Sequence, residues 1–282
     1  MSPYAGEQLA LESRSIRLKA RMSRRAPPAV QAIAAVRGQR ASLERADHRP
    51  FALPRGPWVM GQSWLDLLFA HWPVPEKALR AVVPEAIRID TYDGTAWIGI
   101  TPFEIVGAHP RALPPLPWLS RFPELNVRTY TTIAGRPGIW FFSLDADRAA
   151  VAGAARLTYR LPYRHARMRI ARSGRRIDYR SRAVGADAIL RAAYEPIGAP
   201  SVAAEGTLEH FLTERYRLYT IDHQGRVRHA DIHHAPWPLQ PARAELPENT
   251  MTVPLGIRLA DDEPLLHYAA RQDVVVWPLA PA

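Results

Sequence analysis

A mainly β, α+β chain is predicted here from three observations. From His48 onward the apolar runs are short and punctuated by Pro and Gly, several alternate with a period of two, and no βαβ rhythm recurs. Together they predict one β-rich domain over residues 49–282, closed or sandwiched, with about ten to twelve strands and about three short helices. Residues 1–48 stand apart. They are rich in Ala, Arg and Ser with weak helical periodicity, and they predict a basic extension without fixed structure outside the fold. Met22 is an alternative start of translation.

The elements follow in order. "SWLDLLFAHWPV" is apolar enough for a buried strand, and "PEKALRAVV" opens a helix on proline, whose missing N–H costs nothing there. "IRIDTYDGTAWIGITPFEIV" predicts two strands about the Asp93-Gly94 turn. "HPRALPPLPWLSRFPEL", with five prolines, predicts a long loop. "LNVRTYTTI" and "IWFFSLDA" are strands joined by "AGRPG", the first with Asn126, Arg128 and Tyr130 on one face. "DADRAAVAGAA" predicts a short helix capped by Asp145 or Asp147.

The chain is then predicted to run as a strand from Arg156 through "RLTYRLPYRHARMRI", pairing through "RSGRR" with "IDYRSRAV". "TLEHFLTERY" is a helix with Thr207 as its cap, "RLYTIDHQGRVRHADIHH" a hairpin, and "LLHYAARQDVVVWPL" the last strand.

Composition excludes several functions. The chain has no cysteine, so disulfides, thiolate catalysis and cysteine-ligated metals are out. This is compatible with a cytoplasmic location, which is the expectation. No apolar run approaches the roughly 20 residues that span a bilayer. The net charge of +10 points to nucleic acid until it is mapped. Residues 1–49 hold ten Lys or Arg against four Asp or Glu, so most of the surplus sits in the extension. A nucleic-acid partner is therefore not expected. Lysine occurs only at Lys19 and Lys77, neither placed for Schiff-base chemistry.

No G-x-S-x-G, G-x-G-x-x-G or P-loop is present. "HADIHH" puts His229, Asp231 and His233 on one strand face, but beside a turn an exposed polar face explains them better than a metal. No metal and no cofactor are expected. Glu124, Asp145, Glu205, Glu209 and Glu214 lie near element ends, and sequence alone does not show which of them meet. In the Arg156 strand, Leu157, Tyr159, Leu161 and Tyr163 alternate with Arg156, Thr158 and Arg160. The arginines are either solvated or line a cavity, where their planar forks suit a carboxylate or enolate.

"WLDLLFAHWPV", "ELNVRTYTT", "GIWFFSLDA", "LPYRHARM", "GTLEHFLTERYRLYT" and "HHAPWPLQ" together resemble the YqjF-like family, domain of unknown function 2071, over about residues 55–280. That family falls within the acetoacetate decarboxylase-like superfamily. The resemblance implies a β-barrel-like domain around a central, partly apolar cavity. Acetoacetate decarboxylases carry a G-R-E followed, six residues after its Arg, by P-K-K, whose first lysine forms the Schiff base. By that spacing Arg156 is retained, Leu157 replaces the glutamate, Tyr163 takes the Schiff-base position and Arg164 its neighbour.

Tyrosine forms no imine, so the resemblance implies a pocket without the parental mechanism. Tyr163 and Arg164 are its candidate catalytic residues, the cation lowering the phenol's pKa. Arg128, Arg156, Tyr130 and Asn126 are the candidate ligand-binding residues. The expected partner is a small anionic or carbonyl-bearing molecule. Three readings stay open: an enzyme of lyase, isomerase or hydratase type, a non-catalytic ligand-binding or accessory protein, and a polyanion binder.

Overall fold

The computed structural model describes residues 28–116, 119–260 and 263–282. In chain order its elements are α1 (Pro28–Ser42), β1 (Met60–Val74), α2 (Glu76–Arg80), β2 (Arg88–Ile89), β3 (Ala96–Pro110), β4 (Arg121–Ile133), β5 (Arg136–Ala146), α3 (Ala149–Tyr159), β6 (Tyr163–Ser173), β7 (Arg176–Ala183), β8 (Ile189–Pro196), α4 (Leu208–Thr213), β9 (Arg217–Ile221), β10 (Val227–His233), β11 (Gln240–Asn249), β12 (Leu265–Val276) and β13 (Ala280–Pro281). The β-rich expectation holds.

Seven strands close a ring in the order β12–β1–β3–β4–β5–β9–β10 and back to β12. A second arc, β6–β7–β8–β11, leaves β5 through a parallel pairing and rejoins at β12. Closure leaves few free edges to aggregate. The strands β12–β1–β3–β4–β5 thus form a wall with a compartment on each face.

Alternation along β4 sorts its side chains between the two compartments. Leu125 and Val127 pack with Ile177, Tyr179 and Leu190 of the arc in the largest apolar cluster. Glu124, Asn126 and Arg128 face into the ring.

Bulges re-aim the other walls. β1 slips register against β3 between Leu65 and Ala70, where Asp66 adopts φ 54°. Asp tolerates this left-handed conformation better than most residues. Before the slip Met60, Gln62 and Trp64 face the ring interior; beyond it, Leu67 does. β3 carries an extra residue at Gly107, φ 61°, where a Cβ would lie 2.5 Å from Ala35 Cβ, so the site admits only glycine. β5 slips at Phe142, so Leu144 and then Phe141 and Ile139 face inward.

Several expectations are corrected. The chain from Arg156 to Tyr159 is the end of α3, not a strand, and the strand begins at Tyr163. The Ala-rich run simply continues the helix past Ala155, and Arg160 ends it in the left-handed conformation at φ 52°. Neither aspartate caps α3; Arg148 holds that position without a side-chain bond. Second, residues 28–48 belong to the fold. Ala35 and Gln39 of α1 are buried on the barrel, and Gln39 donates to Ser63 Oγ at 3.1 Å and to the Gly107 carbonyl at 3.2 Å. Met22 and the chain before residue 28 lie outside the described residues. Third, the Asp93-Gly94 turn closes only a Tyr92–Thr95 bridge, and β2 pairs with β4. The proline-rich loop ends earlier than expected, at Arg121. Thr207 caps α4 as expected, accepting from the His210 N–H.

Candidate functional site

The seven-stranded ring encloses a cavity of about 430 Å³. Its lining is two-faced. β5, β9, β10 and β12 contribute Ile139, Phe141, Leu218, Ile232 and Val276, all apolar. β4 contributes Glu124, Asn126 and Arg128, and the chain after α4 adds Thr213 and Arg215. The α3–β6 connection covers one side with Tyr159, Leu161 and Tyr163. Trp64 stacks on Trp237 at 6.0 Å and packs against Phe103 at 5.5 Å, stiffening the aromatic wall.

The lining holds unsatisfied polar atoms on more than one wall. Thr101 Oγ1, Asn126 Oδ1, Arg128 Nε, Tyr159 OH and Trp237 Nε1 are buried with no hydrogen-bond partner among the described residues, and all five residues line the cavity. Native interiors rarely leave such groups unpaired, and each costs about 1–3 kcal/mol. Arg128 is 6% exposed and, among the described residues, pairs with no carboxylate. One of its terminal nitrogens donates to the Leu212 carbonyl at 3.3 Å, and its guanidinium lies over the Phe69 and Tyr130 rings. Arg215, the second cation on this side, is held by Asp90 at 2.7 Å.

Glu124 is the cavity's carboxyl. Tyr163 OH donates to its Oε2 at 3.0 Å. Burial pushes Glu124 up to about 8; the bond from Tyr163 pulls it back and the neighbouring Asp145 carboxyl adds to the rise. The Tyr163 phenol is raised well above its usual value by burial and then by Glu124, so it stays an O–H donor. Burial alone takes Tyr159 to about 12. Behind Arg128, Tyr130 OH lies 2.6 Å from His71 Nε2. Burial, with Arg128 and His267 adding to it, keeps that imidazole neutral, and its tautomer sets which of the two groups donates.

The candidates separate as follows. Tyr163 at the start of β6 and Asn126 and Arg128 on β4 all line the cavity. Tyr130 is wholly buried behind it, in contact with Arg128. Arg164 points the other way, to Asp145 at 2.7 Å and Ser143 Oγ at 3.1 Å. The expectation that Arg164 lowers the Tyr163 phenol is therefore reversed: the group facing that phenol is a carboxyl. Arg156 is exposed on α3 and does not line the cavity. Lys77 is exposed on α2, and Lys19 lies outside the described residues.

Of the residues not singled out as ligands, Glu124 is the important one. Its signal was available, a carboxylate two residues before Asn126 on the same strand face. Asp231 is engaged by Arg217 at 3.1 Å and Arg49 at 3.7 Å, and His229 lies 3.3 Å from it.

A closed β-ring around an amphipathic cavity is the acetoacetate decarboxylase-like fold. The solved acetoacetate decarboxylase of Legionella pneumophila superposes with a TM-score of 0.58 at 12% identity, over 86% of this chain and 94% of that one. The enduracididine biosynthesis enzyme MppR, complexed with pyruvate, gives 0.56 at 12% identity, over 83% and 93%. At this level of identity they show the fold alone.

The chain belongs to the DUF2071 family, described as "Uncharacterized conserved protein", whose model matches residues 61–273. It is 50% identical over 238 residues to the uncharacterized protein YqjF of Bacillus subtilis, covering 84% of this chain and 98% of that one. No described helix is long and apolar enough to cross a membrane.

Proposed function

We propose that this protein binds a small carboxylate bearing a carbonyl group in the ring cavity and moves a proton there without a covalent intermediate. One observation carries the reading: a buried Arg128 without a carboxylate partner among the described residues, in a row with Asn126 and Glu124 on the inner face of β4. A buried cation left unpaired costs several kcal/mol, which an anionic ligand offsets. The planar fork of Arg128 suits a carboxylate, and Asn126 lies between it and Glu124 to meet the adjacent carbonyl. That MppR is solved with pyruvate is in keeping with this ligand class.

Glu124 is the proton carrier. With a pKa of about 8 it exchanges a proton readily near neutrality. In its ionised form it takes the proton from the carbon beside the carbonyl. The enolate charge then falls between Arg128 and Arg215, and the same carboxyl returns the proton. Tyr163 orients Glu124 through its O–H, so the reading needs no imine and no lysine. A cytoplasmic location is part of the proposal.

The test is deuterium exchange at the α-carbon of pyruvate and related 2-oxo acids in D2O, followed by proton NMR. The wild type should catalyse it with a rate that rises with pH and levels off above about 8. Glu124→Gln should bind without exchanging. Binding by the wild type with no exchange at any pH would leave a non-catalytic ligand-binding protein.

A second reading, a polyanion surface, is favoured by β6 and β7. Arg167 faces Arg182 and Arg169 faces Arg180 across the strands, all four exposed. Like charges set opposite one another are unfavourable unless a counter-charge covers them. Binding to a nucleic-acid duplex that falls steeply with salt would favour this reading over the cavity.

A further inference from the structure

We infer that the ligand of the ring cavity is not a three- or four-carbon acid but a larger amphipathic one: a 2-oxo carboxylate whose other end is an aryl or branched apolar group. The inference rests on the cavity reading above and adds the size and character of the ligand.

Volume is the first observation. At about 30 Å³ of liquid volume per water-sized atom, the 430 Å³ cavity holds on the order of fourteen non-hydrogen atoms. A pyruvate-sized acid would fill less than half of it, leaving apolar walls without partners. The second observation is the segregation of the lining. The row Glu124, Asn126, Arg128 comes from β4, whose alternate residues project about 6.6 Å apart, and Thr101 of β3 and Arg215 after α4 are further polar groups of the lining. The walls from β9, β10 and β12 present Leu218, Ile232 and Val276, with no polar group among them.

A ligand that satisfies both faces carries its carboxylate and carbonyl at one end only. The third observation is rigidity. Trp64 of β1 is fixed by stacking on Trp237 and by its indole N–H bond to Gln62 Oε1 at 2.8 Å, so β1 adds a ready-formed flat aromatic surface to the lining. It suits a planar or branched group better than a flexible chain.

The experiment is calorimetric titration of the full chain with pyruvate, 3-methyl-2-oxobutanoate and phenylpyruvate, in wild type and in Arg128→Met. Burying one methylene strengthens binding roughly fourfold. The affinity should therefore rise by about tenfold from pyruvate to the branched acid and by at least about 100-fold to phenylpyruvate. Arg128→Met should weaken all three by a similar factor.

Ile139→Phe and Leu218→Phe, which narrow the apolar side from two strands, should abolish the preference for phenylpyruvate and spare pyruvate. A flat or falling series that still depends on Arg128 would overturn the amphipathic ligand and leave the cavity reading intact. Failure of all three acids to bind a folded wild type would overturn both. Because the wild-type series is decisive alone, misfolding of a narrowed variant does not blunt the test.

Discussion

Two arginines, one on each face of the same wall, are treated in opposite ways. In the compartment behind β1 and β3, Arg172 reaches in from β6 and bridges Asp66 at 2.7 Å and Glu104 at 2.6 Å. Tyr268 OH donates to Asp66 Oδ1 at 2.5 Å, and Tyr194 OH to the Asp66 carbonyl at 2.7 Å. Every partner there is supplied by the protein. In the ring cavity Arg128 has aromatic faces and the Leu212 carbonyl and, among the described residues, no acid. The first arrangement locks two sheets together; the second, on the proposed reading, takes its counter-charge from a ligand. A buried cation is informative about function only when its partner is missing.

The contrast breaks or sharpens through four measurements. The largest effect is expected from Arg172→Ala, which takes the cation from buried Asp66 while Glu104 keeps Arg121 at 2.8 Å, and should cost about 2–3 kcal/mol in denaturant unfolding, less than a fully buried pair. Next comes the pH dependence of stability. The fold raises Glu124 from 4.5 to about 8, so it favours the neutral acid. The stability tied to that proton is complete below pH 4.5 and is lost as pH rises towards about 8, at roughly 1.4 kcal/mol per pH unit, a few kcal/mol in all. Glu124→Gln should remove that slope, and an unchanged slope would show that the carboxyl is ionised throughout.

Tyr163→Phe should cost about 1 kcal/mol for its lost hydrogen bond. It should also move the pH profile of α-carbon exchange upward, because the phenol's bond holds the Glu124 pKa down. The smallest effect should come from Arg128→Met. Without ligand its melting temperature should hold or rise, with a change under about 1 kcal/mol, while ligand binding is lost. If Arg128→Met costs as much as Arg172→Ala, the two arginines serve the same purpose and the contrast collapses.

The legible part of the site was β4. Alternation placed Asn126, Arg128 and Tyr130 on one face, because a strand's period of two needs no partner to be read. What stayed hidden depends on partners. The slips at Asp66, Gly107 and Phe142 decide which residues of β1, β3 and β5 face inward, and a slip exists only relative to a neighbouring strand. Arg156 was misplaced because a six-residue spacing outweighed an Ala-rich helical run that continued through it. Arg164 was read as a neighbour of Tyr163, although adjacent strand residues face opposite ways. Glu124 was noticed as a carboxylate, but its burial beside Tyr163 needed β6 to arrive next to β5.

The β9–β10 hairpin has a further consequence. Its backbone pairing with β5 is limited to Ile139–Leu218 and Trp140–Tyr219, and that with β12 to Ile232–Val276 and His233–Val275. β1, by contrast, is laced to β12 from Met60 to His71. The hairpin is therefore a panel hung on two short seams, with Leu218 and Ile232 on its inner surface. A ring laced elsewhere by long ladders breathes where the lacing is shortest, and traffic through its wall should follow that door. Amide protons of residues 218–219 and 232–233 should exchange with solvent sooner than those of β1, and slow down once the chamber is filled.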